Sequence, residues 1–227
     1  MEKSDIVLVS GHWPLDISFA INTKKTIEYY CLLHNYNFYY DTIEPTETEV
    51  HHLHFRRCEI LRRAAIEFPS AKWFVWLDTD IFVNRMDLSI ESVIDLSDTN
   101  ILYHLFYETE RDKLNVNTGV KFVSKEAIKI ESEIWDLRND PVFKQWPFEQ
   151  KVINKKIIPE YSDRIMIHEP HILNCIDRIY PVKDGLFVHL CERTIEFRNT
   201  IMSALMDKGL NDKILTTKLT PAGRTKV

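Results

Sequence analysis

Glycine is scarce in this chain, with five residues in 227. None of them falls in the spacings of a phosphate loop or a dinucleotide fingerprint, so a nucleotide bound here needs another group to hold its phosphates. The four cysteines (Cys31, Cys58, Cys175, Cys191) have no paired spacing, which excludes a zinc pattern and leaves reduced core thiols as the expectation. No window of about 20 apolar residues is present, and no transmembrane segment is expected. The polar start runs into a short apolar stretch, residues 6–9, too short for a signal peptide; this points to a cytoplasmic protein. A long basic block is also missing. With a net charge of −5 and a pI near 6.0, neither nucleic acid nor a membrane surface is an expected partner. Repeats and low-complexity tracts are absent, and the length suits one large domain with a sizeable core.

What the chain does have is a stretch around which it is organised. Residues 72–83 read Lys-Trp-Phe-Val-Trp-Leu-Asp-Thr-Asp-Ile-Phe-Val. Trp73 to Leu77 have the continuous apolar character of a strand buried on both faces of a parallel sheet. Such a strand should not run into two acids unless something offsets their charge. Asp78 and Asp80 project to the same side of an extended segment and could grip one divalent cation, which could in turn grip a diphosphate. The alternative is a solvated turn.

Along the chain, residues 6–9 predict a short buried strand ending at Ser10-Gly11-His12, where an α/β fold opens a ligand crevice. Helical spacing over 17–34 and a strand at 37–40 complete a β-α-β start, which favours a parallel sheet with helices on both faces. Residues 45–49 read as an acidic loop. Apolar steps of three and four from His52 to Phe68 predict an amphipathic helix carrying Arg56, Arg57, Arg62 and Arg63. A short helix or turn is expected at 87–96, a strand at 101–105 and a polar flap at 107–115. Asn117-Thr118-Gly119 is expected to interrupt a strand that resumes at Val120, because glycine in a strand marks a bulge or a close backbone approach. Ser124 would cap a helix to about Arg138. A short helix begins at 148, residues 157–180 are irregular or strand-like, and 185–190 form the last strand. A helix over 192–208 would stop at Gly209, and a polar tail follows.

Two carboxylates are a thin ligand set for Mg²⁺ or Mn²⁺. His189, near the end of the last strand, is a candidate third ligand as well as a candidate core histidine, and an imidazole donor favours Mn²⁺. Arg193, four residues on, could add positive charge beside a leaving diphosphate or simply lie on a solvated helix start.

Trp73-Phe74-Val75-Trp76-Leu77-Asp78-Thr79-Asp80 resembles the Asp-X-Asp signature of metal-dependent glycosyltransferases of the GT-A fold. It is most similar to the family of fungal galactosyl- and mannosyltransferases and plant xyloglucan xylosyltransferases. Further stretches follow in the family's order: residues 25–36 with Tyr29-Tyr30 and His34-Asn35-Tyr36, Asn117-Thr118-Gly119, Glu149-Gln150, and Phe187-Val188-His189-Leu190-Cys191. The likeness spans roughly residues 6–193, and in size the chain is similar to a glycosyltransferase domain of the kind chlorella viruses encode.

The resemblance implies a single-domain α/β protein over 1–210, with a mixed, mostly parallel central sheet flanked by helices, and a tail or linker over 211–227. It implies a hexosyltransferase for glycan biosynthesis that moves a sugar from a UDP-sugar to a glycan or glycoprotein acceptor. Asp78, Asp80 and His189 would hold Mn²⁺ or Mg²⁺. Ser10 and Gly11 would lie against the nucleotide, with Thr79 in the same donor site, and Arg57 and Arg193 would reach toward the donor. Thr118 and Gly119 would floor the sugar pocket, Gln150 would lie beneath the anomeric carbon, and Glu149 would touch sugar hydroxyls. The sequence departs from the family's pattern at Asn35, where a glycine is usual, and at Glu192, where a small residue or cysteine is usual.

The resemblance implies retention of anomeric configuration, with the leaving phosphate taking the acceptor's proton. An inverting enzyme would need a carboxylate base, for which Asp140, Glu149, Glu169 and Asp177 are the candidates. Two other readings stay open from the residues alone: a metal-dependent nucleotidyltransferase or phosphohydrolase, and a non-catalytic carbohydrate-binding module. The donor sugar, the acceptor and the oligomeric state are not legible; the 107–115 loop with Trp135, Trp146 and Phe148 is the candidate acceptor side.

Overall fold

The computed structural model describes residues 5–214, so the tail expected over 216–227 lies outside the described residues. Its central sheet has six strands in the order β2-β1-β3-β6-β5-β7: β1 (Ile6–Gly11), β2 (Asn37–Asp41), β3 (Trp73–Leu77), β5 (Tyr103–Tyr107), β6 (Val116–Ser124) and β7 (Ile165–His168). Every neighbouring pair is parallel except those of β6, which runs antiparallel to both β3 and β5. The sheet is thus mixed and mostly parallel, as the sequence leads one to expect. A second, three-stranded sheet, β4-β9-β8, is formed by β4 (Ile81–Val83), β9 (Phe187–His189) and β8 (Cys175–Ile176).

The apolar runs of β1 and β3 fill both faces by simple alternation. Val7, Val9, Phe74 and Trp76 point to one side, where they meet Cys58, Leu61 and Ala64 of α3 (Arg56–Glu67) and Ile130 and Ile134 of α4 (Ile128–Asp136). Ile6, Leu8, Trp73, Val75 and Leu77 point to the other, against Ile27, Tyr30 and Cys31 of α1 (Ser18–His34). Each such buried side chain contributes about 1.5–3 kcal/mol over its exposed state. The small sheet packs on Phe19 and Ala20 of α1 and on Met202 of the last helix, α7 (Ile195–Ile214).

The structure corrects several expectations. Residues 45–49 are not a plain loop, because Thr46 and Glu49 form a reciprocal capping box that starts α2 (Glu47–His51). The helix expected from His52 therefore begins later, as α3. Asn117-Thr118-Gly119 does not end its strand, since β6 is continuous, but the glycine does fall in an irregular stretch: His104 and Phe106 of β5 face Phe122 and Asn117, so the extra residues lie on β6. Ser124 closes a turn before α4 rather than its first turn. A short helix, α5 (Glu149–Val152), passes into a wider π turn at Ile153–Ile157 and then α6 (Ile158–Glu160). The last helix starts three residues later than expected and runs through Gly209. Asn35, where the family pattern has glycine, is the left-handed residue ending α1 (φ 59°), a conformation asparagine tolerates better than most side chains.

Candidate active site

β3 delivers Asp78 to the carboxyl edge of the sheet, where its backbone N–H donates to the Gly119 carbonyl of the adjacent β6 (2.9 Å). The Trp76 indole N–H donates to Asp78 Oδ1 at 2.7 Å. A tight turn follows, in which Ile81 N–H donates to Asp78 O, and the chain enters β4. β4 pairs with β9 so that Ile81 lies opposite His189, and Leu190 N–H donates to the Asp80 carbonyl (3.0 Å). Strand pairing, rather than sequence proximity, therefore sets His189 beside Asp80, with Nε2 3.3 Å from Asp80 Oδ1. One ligand atom from each of Asp78, Asp80 and His189 lies within 4.8 Å of the others.

The orientation of the His189 ring follows from one fixed donor. The backbone N–H of Gly119 donates to Asn117 Oδ1 (2.9 Å). Asn117 Oδ1 also accepts from Asn174 Nδ2 (3.0 Å), which leaves Asn174 Oδ1 facing His189 Nδ1 at 3.0 Å. Nδ1 must then carry the proton, and the lone pair of a neutral ring lies on Nε2, toward Asp80. A lone pair aimed at a carboxylate needs a cation or a proton between them. This donor set of two carboxylates and an imidazole with a hydrogen-bonded far nitrogen fits Mn²⁺ or Mg²⁺, with the nitrogen favouring Mn²⁺. Gly119 makes the placement possible, since a Cβ there would sit 2.2 Å from His189 Cε1.

Positive charge surrounds the acids. Arg57, on the first turn of α3, lies 3.5 Å from Asp78 and 3.6 Å from Glu149, and donates to the Thr118 carbonyl and hydroxyl at 2.9 and 3.0 Å. Arg198, on α7, lies 2.8 Å from Asp80 Oδ2. Burial pushes the Asp78 carboxyl up in spite of Arg57. Burial also acts to raise Asp80, but His189 and Arg198 outweigh it and hold that carboxyl below its usual range. His189 is raised, because the two aspartates outweigh its burial.

Behind this cluster lies a buried network. Lys121, fully buried, donates to Glu131 at 2.8 and 2.9 Å and to Glu149 at 2.8 Å. Thr118 Oγ1 donates to the other Glu149 oxygen at 3.0 Å. Burial favours the neutral form of Glu149, yet Lys121 and Arg57 prevail and keep it ionised. Cys58, Glu131 and Glu149 also lie close enough together to suggest a metal group, but Lys121 already supplies that cluster's cation. Gln150 bridges Thr118 N–H (3.3 Å) and Glu108 (3.2 Å).

In front of that network the acidic cluster opens into a cleft of about 480 Å³. It includes the expected Arg57, Asp78, Asp80, Thr118, Gly119, Glu149, Gln150 and His189. Four expected residues are not among those lining it. Ser10 is fully buried, with its hydroxyl unpaired, and Gly11 packs against Asp41 of β2. The Thr79 carbonyl accepts from Thr23 of α1 (2.7 Å). Arg193 turns away to Asp177 (2.7 Å) and stacks on Phe197, and Arg198 supplies the cation in its place. Glu192, the unusual acid, lies on the lip and pairs with Arg178. Asn174, Lys121 and Arg198 were not singled out from the sequence, and Glu108 only as part of the polar 107–115 loop; of the first three, Lys121 carried a signal, as a charge in the apolar run Val120–Val123.

With this geometry in place, comparison with known proteins is decisive. Residues 6–134 match the model of the galactosyl transferase GMA12/MNN10 family. The chain belongs to that family. It is a glycosyltransferase, and this decides against the phosphohydrolase and binding-module readings. Among solved structures, the GMA12/MNN10 chain is 47% identical to a glycosyltransferase involved in glycosylation of the major capsid of PBCV-1 (TM-score 0.83; 88% of this chain and 98% of that one). It shares its fold with the glycosyltransferase GlyE of Streptococcus pneumoniae TIGR4 (TM-score 0.53, 13% identity, 93% and 64%). The galactosyltransferase LgtC, solved with donor and acceptor sugar analogues, has the same fold (TM-score 0.52, 10% identity, 88% and 95%). The fold is GT-A. No curated protein matches the chain.

Replacing Gly119 with alanine forces a methyl group into the His189 ring, and overpacking of this kind costs about 1–3 kcal/mol. The urea midpoint of Gly119→Ala should fall accordingly, with His189 ring resonances displaced; an unchanged midpoint and unchanged resonances would contradict the packing described.

Proposed function

We propose that this protein transfers a hexose-type sugar from a UDP-sugar to a glycan or glycoprotein acceptor, with retention of anomeric configuration, and that Asp78, Asp80 and His189 hold the Mn²⁺ or Mg²⁺ it requires. The observation that carries this reading is the convergence of those three side chains at the mouth of a cleft in a GT-A fold. The cleft is lined by six acidic residues (Asp78, Asp80, Glu108, Asp112, Glu149, Glu192) and two arginines, so an anionic donor needs an added cation to enter it. When bound, that cation supplies charge stabilisation for the departing diphosphate.

The chain's own groups have separable tasks. Asn174 fixes the His189 tautomer and leaves Nε2 as the donor atom. Arg198, now on Asp80, is within reach to turn its guanidinium to a phosphate once Asp80 has another partner. Arg57 and Thr118 brace the floor, and Gln150 presents its side-chain amide to the cleft. Glu149 is held by Lys121 and Thr118 and stays ionised, which fits it to orient hydroxyls and leaves it no freedom to swing as a base. The other candidate bases are spent elsewhere. Asp140 accepts from Val142 N–H, Glu169 pairs with Lys113, and Asp177 pairs with Arg193. None of those three lines the cleft, and the remaining carboxylates that do are already engaged, Glu108 by Gln150 (3.2 Å), Asp112 by Leu114 N–H (3.0 Å) and Asn115 (3.1 Å) and Glu192 by Arg178 (2.6 Å), which supports a front-face reaction in which the leaving phosphate receives the acceptor's proton.

UDP with Mn²⁺ should raise the melting temperature by roughly 5–10 °C at a hundredfold excess over its dissociation constant. Asp78→Asn should abolish that shift, and a shift that survives the substitution would remove Asp78 from the donor site. Proton NMR of the product should show the donor's anomeric configuration, and an inverted product would overturn the retaining reading.

A further inference from the structure

The acidic cluster accounts for one side of the cleft. Among the lining residues with no part in it are His54, Trp146, Asp112 and Asn115. Trp146 is 69% exposed and rests on two other aromatic rings. The His54 and Phe148 rings stack at 4.4 Å with 8° between their planes, and both meet Trp146 edge-on, at 5.9 and 6.1 Å. Phe148 takes a positive φ of 55°, a conformation a bulky side chain rarely adopts and one that costs of order 1–3 kcal/mol. This unfavourable backbone sits at the start of α5, immediately before Glu149 and Gln150.

The residues that share the cleft with Trp146 say which ligand this serves. The strand order places β1 and β2 on one side of β3 and Asp78, and β6 and β5 on the other. Asp112 and Asn115 belong to the segment joining β5 to β6, and α5, which follows Trp146, packs on β6. The Trp146 ring meets His54, just ahead of α3, and lines the same cleft as Asp112 and Asn115 of that segment and the floor formed by Thr118 and Gln150. The cleft thus offers, besides that aromatic face, a carboxylate (Asp112) that accepts from Asn115 Nδ2 (3.1 Å), and the Asn115 amide itself. Sugar rings are bound by such a set, with their C–H face on the aromatic plane and their hydroxyls on the polar groups. The charged lining residues that this segment contributes, Glu108 and Asp112, are both acidic, which disfavours an anionic ring.

We propose that Trp146 is the platform of the acceptor subsite, stacking a neutral sugar ring whose hydroxyls meet Asp112 and Asn115. This rests on the glycosyltransferase reading with a UDP-sugar donor. The test uses the full chain with Mn²⁺ and UDP. Saturation-transfer NMR with methyl glycosides of neutral hexoses, 6-deoxyhexoses and pentoses, with methyl glucuronide as the charged control, reads acceptor binding. Calorimetry reads UDP affinity. Trp146→Ala should weaken binding of the preferred neutral glycoside by roughly tenfold or more, while UDP affinity stays within about twofold. Trp146→Phe should keep most of the glycoside binding. A loss of UDP affinity in Trp146→Ala would assign the indole to the nucleotide base and overturn the proposal, leaving the donor reading intact. Unchanged glycoside binding in the variant, preference for the glucuronide, or no glycoside bound by the wild type would also overturn it. Failure of wild-type protein to bind UDP with Mn²⁺ would instead strike the donor reading on which the proposal stands.

Discussion

Two carboxylates at the end of a strand buried on both faces are the constraint from which the rest of the structure follows. Asp78 and Asp80 leave the core where water is scarce, and like charges so placed repel and resist ionisation. The protein answers from three directions. Arg57 comes from α3, the helix before β3, His189 from a strand of the second sheet, and Arg198 from the last helix. Each acts on the acids through a different backbone element, so the cluster ties α3, β9 and α7 to the edge of the main sheet. Buried charges of this kind are weak contributors to stability and are better understood as a poised site.

The hydrogen-bond chain from Gly119 through Asn117 and Asn174 to His189 shows how a backbone amide can set chemistry several residues away. The Gly119 N–H can only donate, and that single fact fixes both amide orientations and the imidazole tautomer. The same glycine lacks the Cβ that would exclude the ring. A second network, Glu131–Lys121–Glu149–Arg57, runs beneath the floor with alternating sign and leaves Glu149 ionised at a fixed place.

Much of this was legible because charge is conspicuous where the surrounding sequence is apolar. Asp78, Asp80 and His189 stand out against Trp73–Leu77 and Phe187–Val188, and the parallel part of the sheet follows from the β-α-β start, whereas its mixed character is implied only by the family resemblance. Other parts depend on geometry that composition does not carry. Arg193 and Arg198 look equivalent in sequence. The helix, however, starts at Ile195, after a turn in which Thr194 Oγ1 accepts from Phe197 N–H, and this phase sends Arg198 back toward the Leu190 carbonyl and Asp80. Asn174 lies in an irregular stretch with no periodicity, and only the pairing of β8 with β9 reveals its role. Gly119 reads as a strand break because glycine often is one; here it is an uninterrupted strand position that accommodates a ring.

The central claim is that Asp78, Asp80 and His189 bind one divalent cation, with the imidazole attached through Nε2. Pulsed electron paramagnetic resonance of the Mn²⁺–UDP complex tests it most directly, since it detects a nitrogen bonded to the metal. The account predicts the signature of one directly coordinated imidazole nitrogen, lost in His189→Ala. A spectrum with phosphate and water couplings alone would contradict it.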